Sequence, residues 1–219
     1  MRIRSVSFLI ASLLLLPLMI TDESLWVDEG STALFAQQRD LRSWWGYLQA
    51  NTSSDAQMPL YLFTAWVAEK VIGSGEWQLR AQNILWGALV LGGMAYSGRR
   101  LGMLWLPALF VIQPFFWFYM NEARHYVLQM LAGTFMLYAC VSLNQYGGRG
   151  WRWAALFGAG AIVLSYDTML APITIISVLA GCAWILVRKH WGLTKAAVAI
   201  LALAITSRSL LSSDGKLEA

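Results

Sequence analysis

The apolar residues of this chain arrive in long blocks cut by short charged clusters, and no other feature narrows its folding options as much. The blocks occupy residues 6–20, 81–97, 103–120, 126–143, 153–166, 171–187 and 191–211. Continuous apolar runs of this kind fit bilayer-spanning helices better than the alternating faces of an amphipathic globular fold. Composition agrees: 58% of the residues are hydrophobic and only 13% charged, where a globular domain usually carries about 25% charged residues. The expectation is an all-α, polytopic integral membrane protein of about seven spans, which excludes an ordinary cytosolic enzyme. The first block follows Arg2 and Arg4, and no small-residue cleavage pattern follows Leu18-Met19-Ile20, so a retained helix is expected rather than a signal peptide.

Orientation follows from charge. One further candidate, residues 59–72 (PLYLFTAWVAEKVI), is short and carries Glu69 and Lys70, so it reads as an interfacial or re-entrant helix. If it does not span, Arg2, Arg4, Arg99, Arg100, Arg149, Arg152, Arg188, Lys189 and Lys195 all face the cytoplasm and the 12 acidic residues face the other side. That is the asymmetry the positive-inside rule favours. Residues 21–80 then form a long first external loop containing juxtamembrane helices, among them residues 32–48 with Trp44, Trp45 and Tyr47 along the surface. Many of the 12 tryptophans fall near block ends and read as interfacial anchors. The module covers residues 1–211, and residues 212–219 form a short polar tail. Cys140 and Cys182 lie inside apolar blocks without ligand-like spacing, and read as packing residues. The net charge of +4 gives little reason to expect a nucleic-acid partner, and none is expected.

With this topology, polar segments gather on the outer face. Asp28 and Glu29 follow Leu25-Trp26-Val27; adjacent carboxylates there suit a divalent cation or a proton from an incoming hydroxyl, or else one of them caps a helix starting near Ser31. Asp55 and Gln57 precede the helix-start signal Pro59, as caps or ligands. Glu122, Arg124 and His125 crowd a block boundary just before Tyr126. Ionisable groups at such a boundary are functional candidates, and Arg124 suits a phosphate oxygen; the plainer alternative is a Glu122–Arg124 pair. Asp167, between two later blocks, is also placed outside.

The order of Trp26-Val27-Asp28-Glu29, Met58-Pro59-Leu60-Tyr61, Glu76-Trp77-Gln78-Leu79-Arg80, Gly98-Arg99-Arg100-Leu101-Gly102 and Glu122-Ala123-Arg124-His125-Tyr126 resembles the dolichyl-phosphate-mannose mannosyltransferase-like (PMT/ArnT-type) superfamily. These are GT-C fold integral membrane glycosyltransferases. The resemblance implies a hexosyl- or pentosyltransferase that moves a sugar from a polyprenyl-phosphate donor to a lipid, glycan or protein acceptor. It would work in a bacterial inner membrane, with its site facing the periplasm or exterior. It implies Asp28, with Glu29 beside it, as catalytic base. It also implies Arg124, Arg80 and Tyr126 for the donor phosphate, Asp28, Glu122 and Asp167 for a divalent metal (Mg, Mn or Ca), and Asp55, Gln57 and His125 on the acceptor or loop side. Family members usually continue further, so the chain corresponds to their N-terminal module. A fragment, a second chain completing the fold, or a non-catalytic lipid-binding or partner subunit is the alternative.

Overall fold

Proline breaks two of the apolar blocks into shorter pieces, at Pro17 and at Pro114. The computed structural model describes residues 2–146, 150–168 and 171–187. Helix α1 (Arg2–Leu15) gives way to a 3-10 turn (Leu16–Met19) where Pro17 falls. After an extended stretch come α2 (Val27–Ala36) and α3 (Leu41–Ala50). Asp40 starts α3: its Oδ1 accepts the Ser43 N–H at 2.8 Å, which satisfies one of the free donors of the first turn. A second 3-10 turn (Ser54–Gln57) leads to α4 (Pro59–Ile72), with proline in its first turn and Gly73 beyond its end at φ 96°. Helix α5 (Glu76–Leu101) has Glu76 in its first turn and Arg99 and Arg100 in its last, the charge order that complements the helix dipole. Gly102, at φ 74°, stops it in the left-handed conformation that favours glycine. Short α6 (Leu106–Val111) and α7 (Pro114–Met120) follow, then α8 (Tyr126–Tyr146), α9 (Gly150–Ser165) and α10 (Ala171–Val187).

These bounds overturn the expected membrane topology. A spanning helix needs about 20 predominantly apolar residues; α1, α9 and α10 have 14, 16 and 17. The block at 103–120 breaks into helices of 6 and 7 residues. Pro114 has no N–H to donate and pushes Gln113 out of helical geometry, and Gln113 indeed lies at φ −74°, ψ 124°. Helices α5 and α8 are longer, at 26 and 21 residues. Yet α5 carries Glu76, Gln78, Arg80, Gln82, Asn83, Arg99 and Arg100, and α8 carries Gln129, Thr134, Ser142, Asn144 and Gln145. Among the described residues no helix is long and apolar enough to cross a membrane. The polytopic fold class of about seven spans is therefore corrected, and so is integral-membrane placement with an outward-facing site. The expected block at 191–211, the basic residues Arg149, Arg188, Lys189 and Lys195, and the tail at 212–219 lie outside the described residues.

The chain divides into two compact units, residues 1–131 and 132–219. In the first, α4 packs against α2 and α5, and small residues let them approach: Ala33, Ala36 and Ala65 are buried with Leu79 and Ala123. Beside them Phe35, Trp44 and Leu62 form an aromatic-rich core, with Phe35 edge-on to Tyr47 at 4.7 Å and Trp44 edge-on to Phe63 at 5.6 Å. Such edge-to-face pairs add to the burial of area. Trp44 is thus an interior residue, not a surface anchor, whereas its neighbour Trp45 is exposed. In the second unit Ala132, Met136 and Ala139 of α8 pack with Phe157, Ala161 and Leu164 of α9 and with Ala171 and Ile175 of α10. Cys140 lies partly buried against that core and is disulfide-bonded, which corrects its reading as a plain packing residue. The side chain of Cys182 lies outside the described residues.

Candidate functional site

Helix α2 opens with the acidic pair, and the two carboxylates have opposite surroundings. Glu29 is 1% exposed, and its Oε2 accepts the Trp26 N–H at 2.9 Å, closing the first turn of α2. The helix therefore begins at Val27, ahead of the expected Ser31, and Glu29 is its capping carboxylate. Arg80 of α5, also 1% exposed, meets Glu29 with both prongs: Nε to Oε1 at 3.0 Å and Nη2 to Oε2 at 2.7 Å. The Ala123 N–H donates to Oε1 at 2.6 Å. A carboxylate has about four lone-pair sites, and here all are taken. Burial alone raises the Glu29 carboxyl, but the Arg80 fork and the Ala123 and Trp26 amides outweigh it and hold it below the usual range. Arg80 further donates from Nη1 to the carbonyls of Thr21 (3.1 Å) and Glu23 (2.7 Å). The expected roles of Glu29 as a catalytic carboxylate and Arg80 as a phosphate ligand thus meet a pair already engaged with each other.

That pair is the hub for the turn between α7 and α8. Asn83, fully buried on α5, donates from Nδ2 to the carbonyls of Met120 (3.1 Å) and Glu122 (2.6 Å). The Asn121 Oδ1 accepts the Thr21 N–H at 2.7 Å. With Ala123 bound to Glu29, these bonds fix the backbone of the turn that carries Glu122. Its carboxyl is half-buried. Burial, then the charges of Glu29 and Asp28, raise it above the usual carboxylate range despite Arg124 and Arg80 nearby.

Asp28 is exposed and flanked by Trp26 and Val27, which are 72% and 93% exposed. Its backbone carbonyl accepts from Arg124 Nη1 at 2.9 Å, so α2 and the α7–α8 turn meet at this residue. The same Nη1 lies 2.8 Å from Asp55 Oδ1 and 3.5 Å from Ser31 Oγ. Burial lowers the Arg124 pKa, and Asp55, acting through its hydrogen bond and its charge, more than restores it. Arg124 therefore pairs with Asp55 and not with Glu122, the partner the sequence suggested. Its Nε is buried without a partner.

His125 is 8% exposed, with Nδ1 unpartnered and its ring 4.6 Å from that of Tyr126. Burial, then the Arg124 charge, push its pKa down to about 4, so it is neutral near pH 7. Gln57 is exposed at the end of its 3-10 turn. Asp167 belongs to the second unit, just beyond α9, and is fully buried with both oxygens unpartnered. Burial raises its pKa to about 8. Among the described residues no three His, Cys, Asp or Glu side chains gather closely enough to hold a metal ion, so the set Asp28, Glu122 and Asp167 is not assembled as a metal centre.

The first unit thus brings together Asp28, Glu122, Arg124, Asp55 and Tyr126, braced by Glu29 and Arg80. Sequence reasoning missed Asn83, Asn121 and Thr21. Asn83 stands among Gln78, Arg80 and Gln82 in the polar first half of α5, and nothing local sets it apart from them. Comparison with protein families, with curated proteins and with solved structures finds no match for this chain.

Proposed function

We propose that this chain transfers a sugar from a polyprenyl-phosphate donor to an acceptor hydroxyl. The observation that carries the reading is that Arg124, a partly buried guanidinium, donates from Nη1 to the backbone carbonyl of Asp28 at 2.9 Å, which brings it to the residue that bears the exposed carboxylate. A base and a phosphate ligand at fixed separation are what such a transfer needs. In this reading the acceptor oxygen attacks the anomeric carbon as its proton passes to Asp28. The bond from that carbon to the phosphate oxygen breaks, and Arg124 stabilises the charge that develops on the leaving phosphate. Glu122 keeps its proton over a wider pH range than an ordinary carboxyl and so adds less negative charge beside the phosphate. The exposed Trp26 and Val27 offer apolar surface to an isoprenoid tail next to Asp28.

A second reading is a non-catalytic polyprenyl-phosphate binder or partner subunit. It is favoured by the saturation of Glu29 and Arg80, which leaves few unengaged groups for chemistry. The deciding experiment incubates the purified chain with polyprenyl-phospho-sugars and a hydroxyl acceptor, for wild type and Asp28→Asn. Transfer that falls by about 100-fold or more in the variant, with donor binding intact, supports catalysis. Donor binding without transfer supports the binder, and equal transfer in both removes Asp28 from the mechanism.

A further inference from the structure

We propose that Asp55 is a built-in stand-in for phosphate, holding Arg124 until a phosphate monoester displaces it and releases residues 53–57. The inference rests on Arg124 being the phosphate ligand of the function proposed above. A guanidinium is a planar fork with five donors, matched to two oxygens of a phosphate. Asp55 uses that fork poorly. Its Oδ1 takes a single bond from Nη1 at 2.8 Å, a nitrogen that also serves the Asp28 carbonyl and Ser31. Nε lies buried with no acceptor at all. A phosphate monoester brings three oxygens and up to two charges, so it can satisfy Nε and the Nη nitrogens together where Asp55 satisfies one.

The segment carrying Asp55 is held by little else. Its 3-10 turn (Ser54–Gln57) has no buried residue. Its other bonds are local: the Ala56 N–H to Ser53 O at 3.2 Å, the Met58 N–H to Asp55 O at 2.9 Å and the Asp55 N–H to Ser53 Oγ at 3.3 Å. The Ser53 N–H also donates to Asn51 Oδ1 at 2.8 Å, so among the described residues the Arg124 contact is the hydrogen bond that ties residues 53–57 to a distant part of the chain. Anchoring the segment and binding phosphate therefore draw on one guanidinium, and linkage makes them antagonistic: phosphate weakens the anchor by the same factor as the anchor weakens phosphate binding.

The test uses the full chain with geranyl monophosphate as probe, titrated calorimetrically into wild type, Asp55→Asn, Asp55→Ala and Arg124→Ala, with circular dichroism confirming the fold of each. Both Asp55 variants should bind about three- to tenfold tighter than wild type, the range expected for removing a competing, partly exposed ion pair. Proteolytic cutting within residues 51–58 should rise when the probe is added to wild type, and should already be high in Asp55→Ala without it. Equal or weaker binding in both Asp55 variants, with binding lost in Arg124→Ala, overturns the stand-in and leaves the phosphate-ligand role of Arg124 in place. No binding to wild type or to either Asp55 variant overturns both.

Discussion

A carboxylate that is 1% exposed and accepts from Arg80, Trp26 and Ala123 is committed to holding its neighbours in place. The Glu29–Arg80 pair therefore belongs to the frame of the site, and its loss should act on stability first. Removing one partner of a buried ion pair strands the other charge and costs about 3–5 kcal/mol. Chemical denaturation of Glu29→Gln and Arg80→Met should each show a loss in that range, with the double variant losing clearly less than the sum. Strict additivity would mean that the two residues act independently. Burial also makes two residues pH sensors of opposite sign. His125 titrates at about 4 against an ordinary 6.5, so its contribution to stability is complete above about pH 6.5 and is lost as pH falls toward 4. Asp167 titrates at about 8 against 3.8; its contribution is complete below about pH 3.8 and is lost as pH rises through 8. Asp167→Asn should accordingly raise the melting temperature near pH 8.5 and leave it almost unchanged near pH 4. An equal shift at both values would show that Asp167 is not buried as a neutral acid. The residue types were legible in the sequence, but the partnerships were not: Glu29 and Arg80 lie 51 positions apart and Arg124 and Asp55 lie 69 apart, and nothing local in either segment names the other.

At the scale of elements, local chemistry was read where it is decisive. The helix at 59–72 has the expected bounds because Pro59 fits a first turn and Gly73 ends the helix at positive φ. The expected block at 171–187 is helical throughout. Misreadings came where an apolar block hid a break, as at Gln113-Pro114, or where polar residues extended a helix beyond its block, as in α5 from Glu76 to Leu101. Packing between α8 and α9 depends on a missing side chain: a Cβ at Gly160 would fall 2.8 Å from the Ala132 carbonyl oxygen and 2.9 Å from Met136 Cγ. Gly160→Ala should therefore cost about 1–3 kcal/mol in denaturant unfolding despite the better helix propensity of alanine. A stabilised variant would mean that the two helices do not approach as described. Cys140, being disulfide-bonded, should resist alkylation in denaturant until a reductant is added; labelling beforehand would contradict the bond.

For the whole molecule, hydropathy read in blocks suggested about seven membrane spans, and the described residues do not bear them out. An average over a block records how apolar it is and not whether one helix runs through it, and among the described residues no helix is long and apolar enough to cross a membrane. The candidate site was more legible than the fold, since Asp28, Asp55, Glu122 and Arg124 were singled out as residue types whose chemistry is hard to explain by packing alone. Three of them, Asp28, Asp55 and Arg124, are joined by hydrogen bonds in the first unit, and Asn83 holds the backbone carbonyl of Glu122 in the same turn as Arg124. The central claim is that this cluster receives a polyprenyl phosphate, and native mass spectrometry of the purified full chain tests it most directly, with Arg124→Ala measured beside wild type. The account predicts a co-purified polyprenyl phosphate or polyprenyl-phospho-sugar on wild type that is absent from the variant. A folded wild type carrying no such lipid, or a variant that retains it equally, would contradict the account.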